Sequence, residues 1–238
     1  GFILTFERGT VSTHLALNPQ GQITGLLFET PQLTGLSLDD VLSEFSTFPG
    51  EVHLLATRNG EDVGAINADK TLAVGSTFKL LILQALQTQI EQGKHQWDEV
   101  VTLQDEWKSL PSGFLQTWPA GSSLTIESLA TLMISQSDNT ATDHLLHIVG
   151  RETVEALSLS NRPFLTTREA FVLKDPANRS ILRRWRSRDE KRSLLSALAA
   201  LPLPAVSIFN EGPQAIDVEW FFTARELCNA MEVVASLP

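Results

Sequence analysis

Cysteine is almost absent from this chain, and so are long hydrophobic stretches. The single cysteine among 238 residues, Cys228, excludes an intrachain disulfide framework, and we expect it to be a small core residue. No run of about 18 apolar residues occurs, so no membrane-spanning helix is predicted. A start methionine and a signal peptide are also missing, because the chain opens directly on "GFILTFERG". We therefore expect that both ends have been cut from a longer protein.

Basic residues are scarce relative to acidic ones. The sequence has 18 lysines and arginines against 28 aspartates and glutamates, which gives a formal net charge of −10. This balance argues against nucleic acid or an anionic membrane as the main partner. The one basic run, 178–192, includes Asp189 and Glu190, and we interpret it as a solvated helix face. His144 and His147 have no third metal ligand nearby, so we expect no metal site and no cofactor.

The first part of the chain predicts strands. Three stretches suited to strands, with a turn at 18–22, are 2–8, 11–17 and 23–28. Asn59-Gly60 then separates two further strand-like runs, 52–57 and 62–67. It predicts a hairpin, because a type I′ turn needs positive φ at both central residues.

The rest of the chain predicts mostly helices. Ser37 to Asp40 forms a capping-box-like start for a short helix. Longer helices are predicted where apolar residues recur at helical spacing, from Ser76 to about Gly93 and over 124–135, 140–149, 181–200 and 223–236. This order predicts an α+β fold whose sheet, with a single hairpin, is undersized.

Ser76 and Lys79 open the most apolar of these helices, three residues apart. Positions i and i+3 share a face of a helix, so the hydroxyl and the amine are predicted to meet. A lysine held away from water has a lowered pKa and can take the proton of the serine, which makes the serine a nucleophile. The helix N-terminus can stabilise a developing oxyanion. The alternative is a serine cap followed by a surface lysine, and Ser-x-x-Lys alone does not decide between them.

A second polar motif, Ser137-Asp138-Asn139, interrupts two predicted helices. Ser137 can relay a proton to a leaving group, and Asn139 can hold a substrate amide carbonyl. For Asp138 we favour a bracing role, because aspartates in such turns accept hydrogen bonds from nearby backbone N–H groups.

Together, "AVGSTFKLL" and "MISQSDNTATDHLL" resemble the serine β-lactamases of class A and the related penicillin-binding proteins. The resemblance covers roughly residues 36–238. It implies Ser76 as the acylated nucleophile, Lys79 as its base partner, Ser137 as proton relay and Asn139 as substrate binder. It also implies hydrolysis of a small-molecule β-lactam, or of a related amide or ester, through an acyl-enzyme. Family habit implies a periplasmic or extracellular location, and an oligomeric state is not defined by the sequence.

Two family features are missing. No Lys-Thr-Gly follows Asn139, although in the family this motif lies on a strand that donates one N–H to the oxyanion hole. We expect that truncation removed it together with further strands, which leaves a poor catalyst. The Glu-x-x-Leu-Asn pattern, whose carboxylate activates the deacylating water, is also absent. Glu169 is the nearest candidate, and we favour a solvent-facing helix residue for it.

The missing carboxylate keeps other functions open. An esterase, an amidase, a processing hydrolase or a penicillin-binding transpeptidase fits as well as a true β-lactamase. The competing class is a non-catalytic module that binds the cell wall or a protein partner. The presence of nucleophile, base and relay together argues against that class.

The N-terminal residues resemble a different domain. "FERGTVSTHLALNPQGQITGLLFETP" and "PFLTTREAF" are similar to a subgroup in which a β-lactamase-like domain follows a small NTF2-like α+β domain. We predict that residues 1–34 are the C-terminal hairpin of such a domain, or a linker, and that 35–238 form the hydrolase domain, incomplete at its C-terminus. The predicted fold is therefore a β-lactamase/transpeptidase-like α+β fold with part of an antiparallel sheet and a remnant of the N-terminal domain. The alternative is an N-terminal hairpin that belongs to the hydrolase.

Overall fold

The structure, a computed structural model, describes residues 1–187, 191–212 and 214–235. Asp189 and Glu190, part of the basic run interpreted as a solvated helix face, lie outside these residues. The chain divides into two compact units, Gly1–Asn67 and Ala68–Pro238. The division predicted after residue 34 stays a prediction.

The first unit opens with a four-stranded antiparallel sheet. Its strands are β1 (Phe2–Phe6), β2 (Gly9–Leu17), β3 (Ile23–Phe28) and β4 (Gln32–Leu33). β2 pairs with β1 and β3, and β4 pairs with the beginning of β2. The turn before β3 is organised by Asn18, whose Oδ1 accepts hydrogen bonds from the backbone N–H groups of Gln20 and Gln22. The predicted strands and the turn between them are thus confirmed.

A short helix and a hairpin complete the first unit. They are α1 (Leu38–Phe45), β5 (Leu54–Arg58) and β6 (Glu61–Ile66). α1 begins with the predicted capping box, in which Ser37 Oγ accepts from the backbone N–H of Asp40. Asn59 and Gly60 have φ of 53° and 79°, as a type I′ turn requires. β5 and β6 pair only with each other among the described residues, which confirms the undersized sheet.

The second unit is mainly helical. Its helices are α2 (Lys79–Glu91), α3 (Ile126–Ser135), α4 (Asn139–Val149), α5 (Arg151–Leu157), α6 (Thr167–Lys174), α7 (Arg179–Arg186), α8 (Lys191–Ala199) and α9 (Ala224–Val234). Two short antiparallel pairs accompany them: β7 (Leu72–Ala73) with β10 (Phe221–Phe222), and β8 (Val100–Thr102) with β9 (Ser123–Thr125). Among the described residues, none of these helices has the length and apolarity needed to cross a membrane. The helix predicted over 181–200 is represented by α7 and α8.

Helix α2 runs through the core of the second unit and positions the Ser76–Lys79 segment. Leu81, Ile82 and Leu86 are at most 2% exposed. Burial of side chains of this size contributes about 1.5–3 kcal/mol each to folding, so the start of α2 is held firmly. Gly93 follows the C-cap of α2, near the predicted end of the helix, with a φ of 70° and an N–H that donates to the Ile90 carbonyl. Cys228, expected in the core, is only half-buried on α9.

Candidate active site

Ser76 and Lys79 are close in sequence but lie in different environments. A 3₁₀ turn over Gly75–Phe78 leads into α2, of which Lys79 is the first residue. In such a turn the side chains at i and i+3 lie on the same side. Ser76 is exposed, whereas Lys79 is only 2% exposed. The Ser76 hydroxyl is therefore accessible to a ligand, while the Lys79 amine is buried.

The Lys79 amine is held by the Ser137-Asp138-Asn139 turn. Its Nζ donates to the Ser137 carbonyl at 2.5 Å, to Ser137 Oγ at 2.9 Å and to Asn139 Oδ1 at 2.9 Å. Burial lowers the pKa of Lys79 to about 8, although the negative charges of Asp143 and Asp138 oppose the shift. Within the described part of the chain, no hydrogen bond joins Lys79 Nζ to Ser76 Oγ. The amine is thus fixed by the turn, and its pKa lies close enough to physiological pH for a fraction of it to be neutral.

The turn itself is braced by Asp138, as predicted. Asp138 is fully buried, and its Oδ2 accepts hydrogen bonds from the backbone N–H groups of Phe114 (2.7 Å) and Leu115 (2.9 Å). Its Oδ1 accepts from the N–H of Ala141 at 2.9 Å and caps α4. Ser137 has a φ of 51°, an unusual conformation for a residue other than glycine. The bonds of Asp138 hold this conformation in place.

Gly113 is required where the turn meets the preceding loop. Its φ is +86°, and a Cβ at this position would lie 2.2 Å from Asp138 Oδ2. Only glycine lets the loop backbone approach the carboxylate so closely.

An open cleft brings Ser76 and Asn139 together. Its lining consists of Gly75, Ser76, Phe78, Asn139, Thr167, Ala170, Phe171, Lys174, Glu219 and Trp220. One wall is stiffened by Phe78, which stacks on Trp220 with ring centroids 3.8 Å apart. Lys174 and Glu219 form an ion pair in the cleft. The cleft can therefore place a small molecule with both apolar and polar groups against Ser76.

Asn139 lies at the inner edge of this cleft and is 7% exposed. Its Oδ1 accepts from Lys79, and its Nδ2 donates to the Leu110 carbonyl at 3.1 Å. These bonds fix the orientation of the amide and leave one Nδ2 proton without a partner among the described residues. That proton can serve a ligand carbonyl.

Glu169 does not face solvent, so the expectation for this residue was wrong. It is 5% exposed, and its Oε1 and Oε2 accept from Arg151 Nη2 (2.8 Å) and Nη1 (2.9 Å). Its Oε2 also accepts from the backbone N–H of Thr166, and this bond completes the capping box of α6. Glu169 is absent from the lining of the cleft. The Glu169 carboxylate is therefore engaged in structural hydrogen bonds. Its main partner, Arg151, is 18 residues away in the sequence, so the local sequence did not indicate this ion pair.

Two residues near the site were missed by the sequence analysis, Asp143 and Thr167. Asp143 is 1% exposed, and its Oδ1 accepts from Thr167 N at 2.7 Å and from Thr167 Oγ1 at 2.9 Å. Burial raises the pKa of Asp143 to about 7, and the charge of Glu169 adds to this, although hydrogen bonds from Thr167 and Arg168 oppose it. Asp143 lies four residues after Asn139 on α4. Residues at this spacing lie on the same face of a helix, so the sequence could have placed Asp143 next to Asn139.

The histidines of α4 serve packing. His144 Nδ1 contacts the Thr140 carbonyl at 2.7 Å, and Nε2 accepts from the Gln104 N–H at 2.8 Å, so both ring nitrogens are engaged. The His147 ring stacks on Trp107 with centroids 4.5 Å apart, and burial lowers the pKa of His147 to about 4. Over the described residues, no group of three or more His, Cys, Asp or Glu side chains could hold a metal ion.

Comparison with known proteins agrees with this architecture. The sequence model described as the Beta-lactamase enzyme family matches residues 37–195. No curated protein matches the chain. Two solved structures share its fold with a TM-score of 0.50: PBP-A, at 16% identity over 83% of this chain and 60% of that one, and a β-lactamase from Chitinophaga pinensis, at 18% identity over 84% and 64%.

A β-lactamase from Sphaerobacter thermophilus matches a shorter region, with 33% identity over 43% of this chain and 39% of that one and a TM-score of 0.39. The chain thus spans less than two thirds of the length of these structures. The predicted α+β, β-lactamase/transpeptidase-like fold is confirmed by the shared fold of PBP-A and the Chitinophaga enzyme. With its family match covering more than half of the sequence, the chain belongs to the β-lactamase enzyme family.

Proposed function

We propose that this chain is part of a serine hydrolase that acts through an acyl-enzyme on Ser76, with a β-lactam or a related amide or ester as its small-molecule substrate. The observation that carries the proposal is the buried Lys79 amine, which Ser137 and Asn139 hold beside a cleft that also contains Ser76. Membership of the β-lactamase family supports the same chemistry.

Acylation follows from the protonation state of Lys79. At a pKa of about 8, a substantial fraction of the amine is neutral near physiological pH. Loss of one proton frees a lone pair in place of one of the three N–H donors, and this lone pair can accept the proton of Ser76 Oγ. The Ser76 oxygen then attacks the carbonyl carbon, and the start of α2 stabilises the negative charge that develops on the carbonyl oxygen.

Ser137 completes the proton transfer. Its Oγ lies 2.9 Å from Lys79 Nζ, so it can receive the proton from the amine while it gives its own to the leaving nitrogen or oxygen. The bond between the carbonyl carbon and the leaving group breaks, and the acyl group remains on Ser76. Asn139 orients the substrate through its remaining Nδ2 proton.

Because Glu169 is engaged in structural bonds, a second candidate function is a transpeptidase of the penicillin-binding type. Without a carboxylate from Glu169 in the cleft, an acyl-enzyme formed with penicillin would persist, as it does in a transpeptidase of the penicillin-binding type. The two candidates share the acylation step and differ in the lifetime of the acyl-enzyme.

We also propose a periplasmic or extracellular location, because chemistry on the cell wall and on antibiotics usually takes place outside the cytoplasm. Family membership supports this location. Cell fractionation followed by detection of the protein tests it, and recovery in the cytoplasmic fraction alone would contradict it.

The test of function is to incubate the full-length protein with a fluorescent penicillin and follow its intact mass over time. We expect an adduct on the wild type and on Ser180→Ala, a matched control that removes an exposed hydroxyl of α7. No adduct is expected on Ser76→Ala. Hydrolysis of simple esters without an adduct would indicate an esterase, and no reaction with either compound would indicate a non-catalytic binding module.

A further inference from the structure

Any acyl-enzyme on Ser76 needs a group that takes a proton from the attacking water, and most nearby carboxylates are already occupied. Glu169 is bound by Arg151 and Thr166, and Asp138 accepts three backbone hydrogen bonds. Glu219 lies in the cleft but is paired with Lys174. Asp143 also accepts two backbone hydrogen bonds, but in addition its Oδ1 contacts the hydroxyl of Thr167, which lines the cleft.

Thr167 connects Asp143 to the cleft. It belongs to the lining that also contains Ser76, and its Oγ1 lies 2.9 Å from Asp143 Oδ1. Ser109 Oγ lies 2.7 Å from the same Thr167 oxygen. A threonine hydroxyl has one proton, and a carboxylate is its strongest acceptor here. The Thr167 hydroxyl can donate to Asp143, to Ser109 Oγ or to the Asn139 carbonyl, which lies 3.4 Å away. With its one proton directed to the Asp143 carboxylate, the threonine oxygen keeps a lone pair for a water in the cleft.

We propose that Thr167 and Asp143 form a proton relay that activates the water for hydrolysis of the acyl-enzyme. This inference rests on the proposed function, since it concerns the fate of an acyl group on Ser76. Thr167 contacts the water, and Asp143 acts through Thr167. The relay takes the place of the loop glutamate that the sequence lacks.

The proton movements balance without a further reactant. As the water oxygen bonds to the acyl carbon, its proton passes to Thr167 Oγ1 and the original proton of Thr167 passes to Asp143. The ester bond between the acyl carbon and Ser76 Oγ then breaks. The proton on Asp143 returns through the Thr167 oxygen to Ser76, which restores the free enzyme and releases a carboxylic acid.

The charged groups around Asp143 allow its carboxylate to accept and release a proton. Lys79 on α2 and Glu169 on α6 are the charged groups that interact with it, and the backbone N–H groups of Thr167 and Arg168 bond to it directly. With a pKa of about 7, Asp143 can accept a proton and return it near neutral pH. The lifetime of the acyl-enzyme should therefore shorten as the pH rises through about 7.

The experiment measures the lifetime of the penicillin adduct on the full-length protein by intact mass after removal of free penicillin. Thr167→Val removes the hydroxyl with little change in shape, and Thr167→Ser keeps it. Thr153→Val is the matched control, because Thr153 Oγ1 bonds to the Val149 carbonyl on α4 and lies outside the cleft. Asp143→Asn is measured as well, with thermal unfolding of every variant to verify folding.

We expect Thr167→Val to lengthen the lifetime by about 10²-fold or more, the usual contribution of a proton-transfer group. The adduct should still form on Thr167→Val, and the dependence of its lifetime on pH near 7 should be lost. Thr167→Ser and Thr153→Val should retain the wild-type lifetime. Asp143→Asn, if folded, should behave like Thr167→Val.

Equal lifetimes in wild type and Thr167→Val would overturn the relay and leave acylation of Ser76 intact. A lifetime that lengthens in Glu219→Gln but not in Thr167→Val would place the base at Glu219 and would also overturn it. If no adduct forms on any protein, the proposed function fails and the relay fails with it.

Discussion

The two sides of the cleft use their polar residues in different ways. On one side, residues 75–79 and 137–139 make up what we call the acylation wall. There the Lys79 amine donates to three neutral oxygen atoms, and none of its hydrogen bonds within the described part of the chain goes to a carboxylate. The other side is the α6 wall, formed by helix α6, where Glu169 lies outside the lining of the cleft and is bound by the guanidinium of Arg151. The first arrangement buries an amine and lowers its pKa, while the second ties a carboxylate into an ion pair. We infer that the acylation wall is built for proton transfer and that Glu169 is built for structure.

The largest effect should come from removing the base on the acylation wall. Lys79→Arg keeps a positive charge and hydrogen-bond donors but cannot lose a proton near neutral pH. The rate of adduct formation should fall by about 10²–10⁴-fold, as for loss of a general base. The rate is measured by intact mass, with Lys94→Arg on the exposed surface as control. Adduct formation at the wild-type rate in Lys79→Arg would remove the distinction between the two walls.

Glu169→Gln tests the structural role of Glu169 on the α6 wall. Removing one partner of a buried ion pair leaves Arg151 uncompensated, so the free energy of unfolding should fall by about 3 kcal/mol. The rate of adduct formation per folded molecule should not change. Urea denaturation measures the stability, and Glu152→Gln, at an exposed pair with Arg192, is the control and should change it little. Normal stability with slow acylation would show that Glu169 acts in the chemistry.

Gly113→Ala tests how the acylation wall is held. The Cβ would collide with Asp138 Oδ2 in addition to straining a left-handed backbone, and together these should cost about 2–3 kcal/mol. Gly121→Ala is the matched control: its φ is +84°, but no atom lies within 4 Å of the added carbon, so only the strain of about 1 kcal/mol applies. Equal losses in thermal stability would show that the contact with Asp138 is unimportant.

The pH dependence of acylation should give the smallest effect. Lys79 is protonated below its pKa of about 8, so adduct formation should accelerate about fivefold between pH 7 and pH 8 and level off above pH 9. The shift lowers the pKa from the ordinary 10.5, so the folded state disfavours the charged amine. Rapid sampling of the adduct by mass spectrometry across this range measures the profile. A rate that continues to rise towards pH 10.5 would show that burial does not tune this lysine.

The elements that carry the site were predictable because their signals are local. The helical spacing of apolar residues in α2, the turn at Asn59-Gly60 and the cap at Ser37 each act within a few residues. The same holds for Asp138, whose bracing of the turn follows from the short reach of an aspartate side chain.

The geometry of the site was not predictable, because it depends on contacts between distant segments. Lys79 bonds to Ser137 and Asn139 only because α3 and α4 bring their turn against the start of α2. Glu169 was wrongly expected to face solvent, since its partner Arg151 lies on another helix. Thr167 could not be identified from the sequence, because only the fold brings its hydroxyl into contact with both Asp143 and the cleft.

The identity of Ser76 as the nucleophile is the central feature of the proposed mechanism. The most direct measurement is peptide mapping of the full-length protein after brief exposure to fluorescent penicillin, with the modified residue identified by fragmentation. We predict a single adduct on Ser76, in the peptide that also contains the start of α2. An adduct on Ser137, or on a serine outside the cleft, would contradict the account.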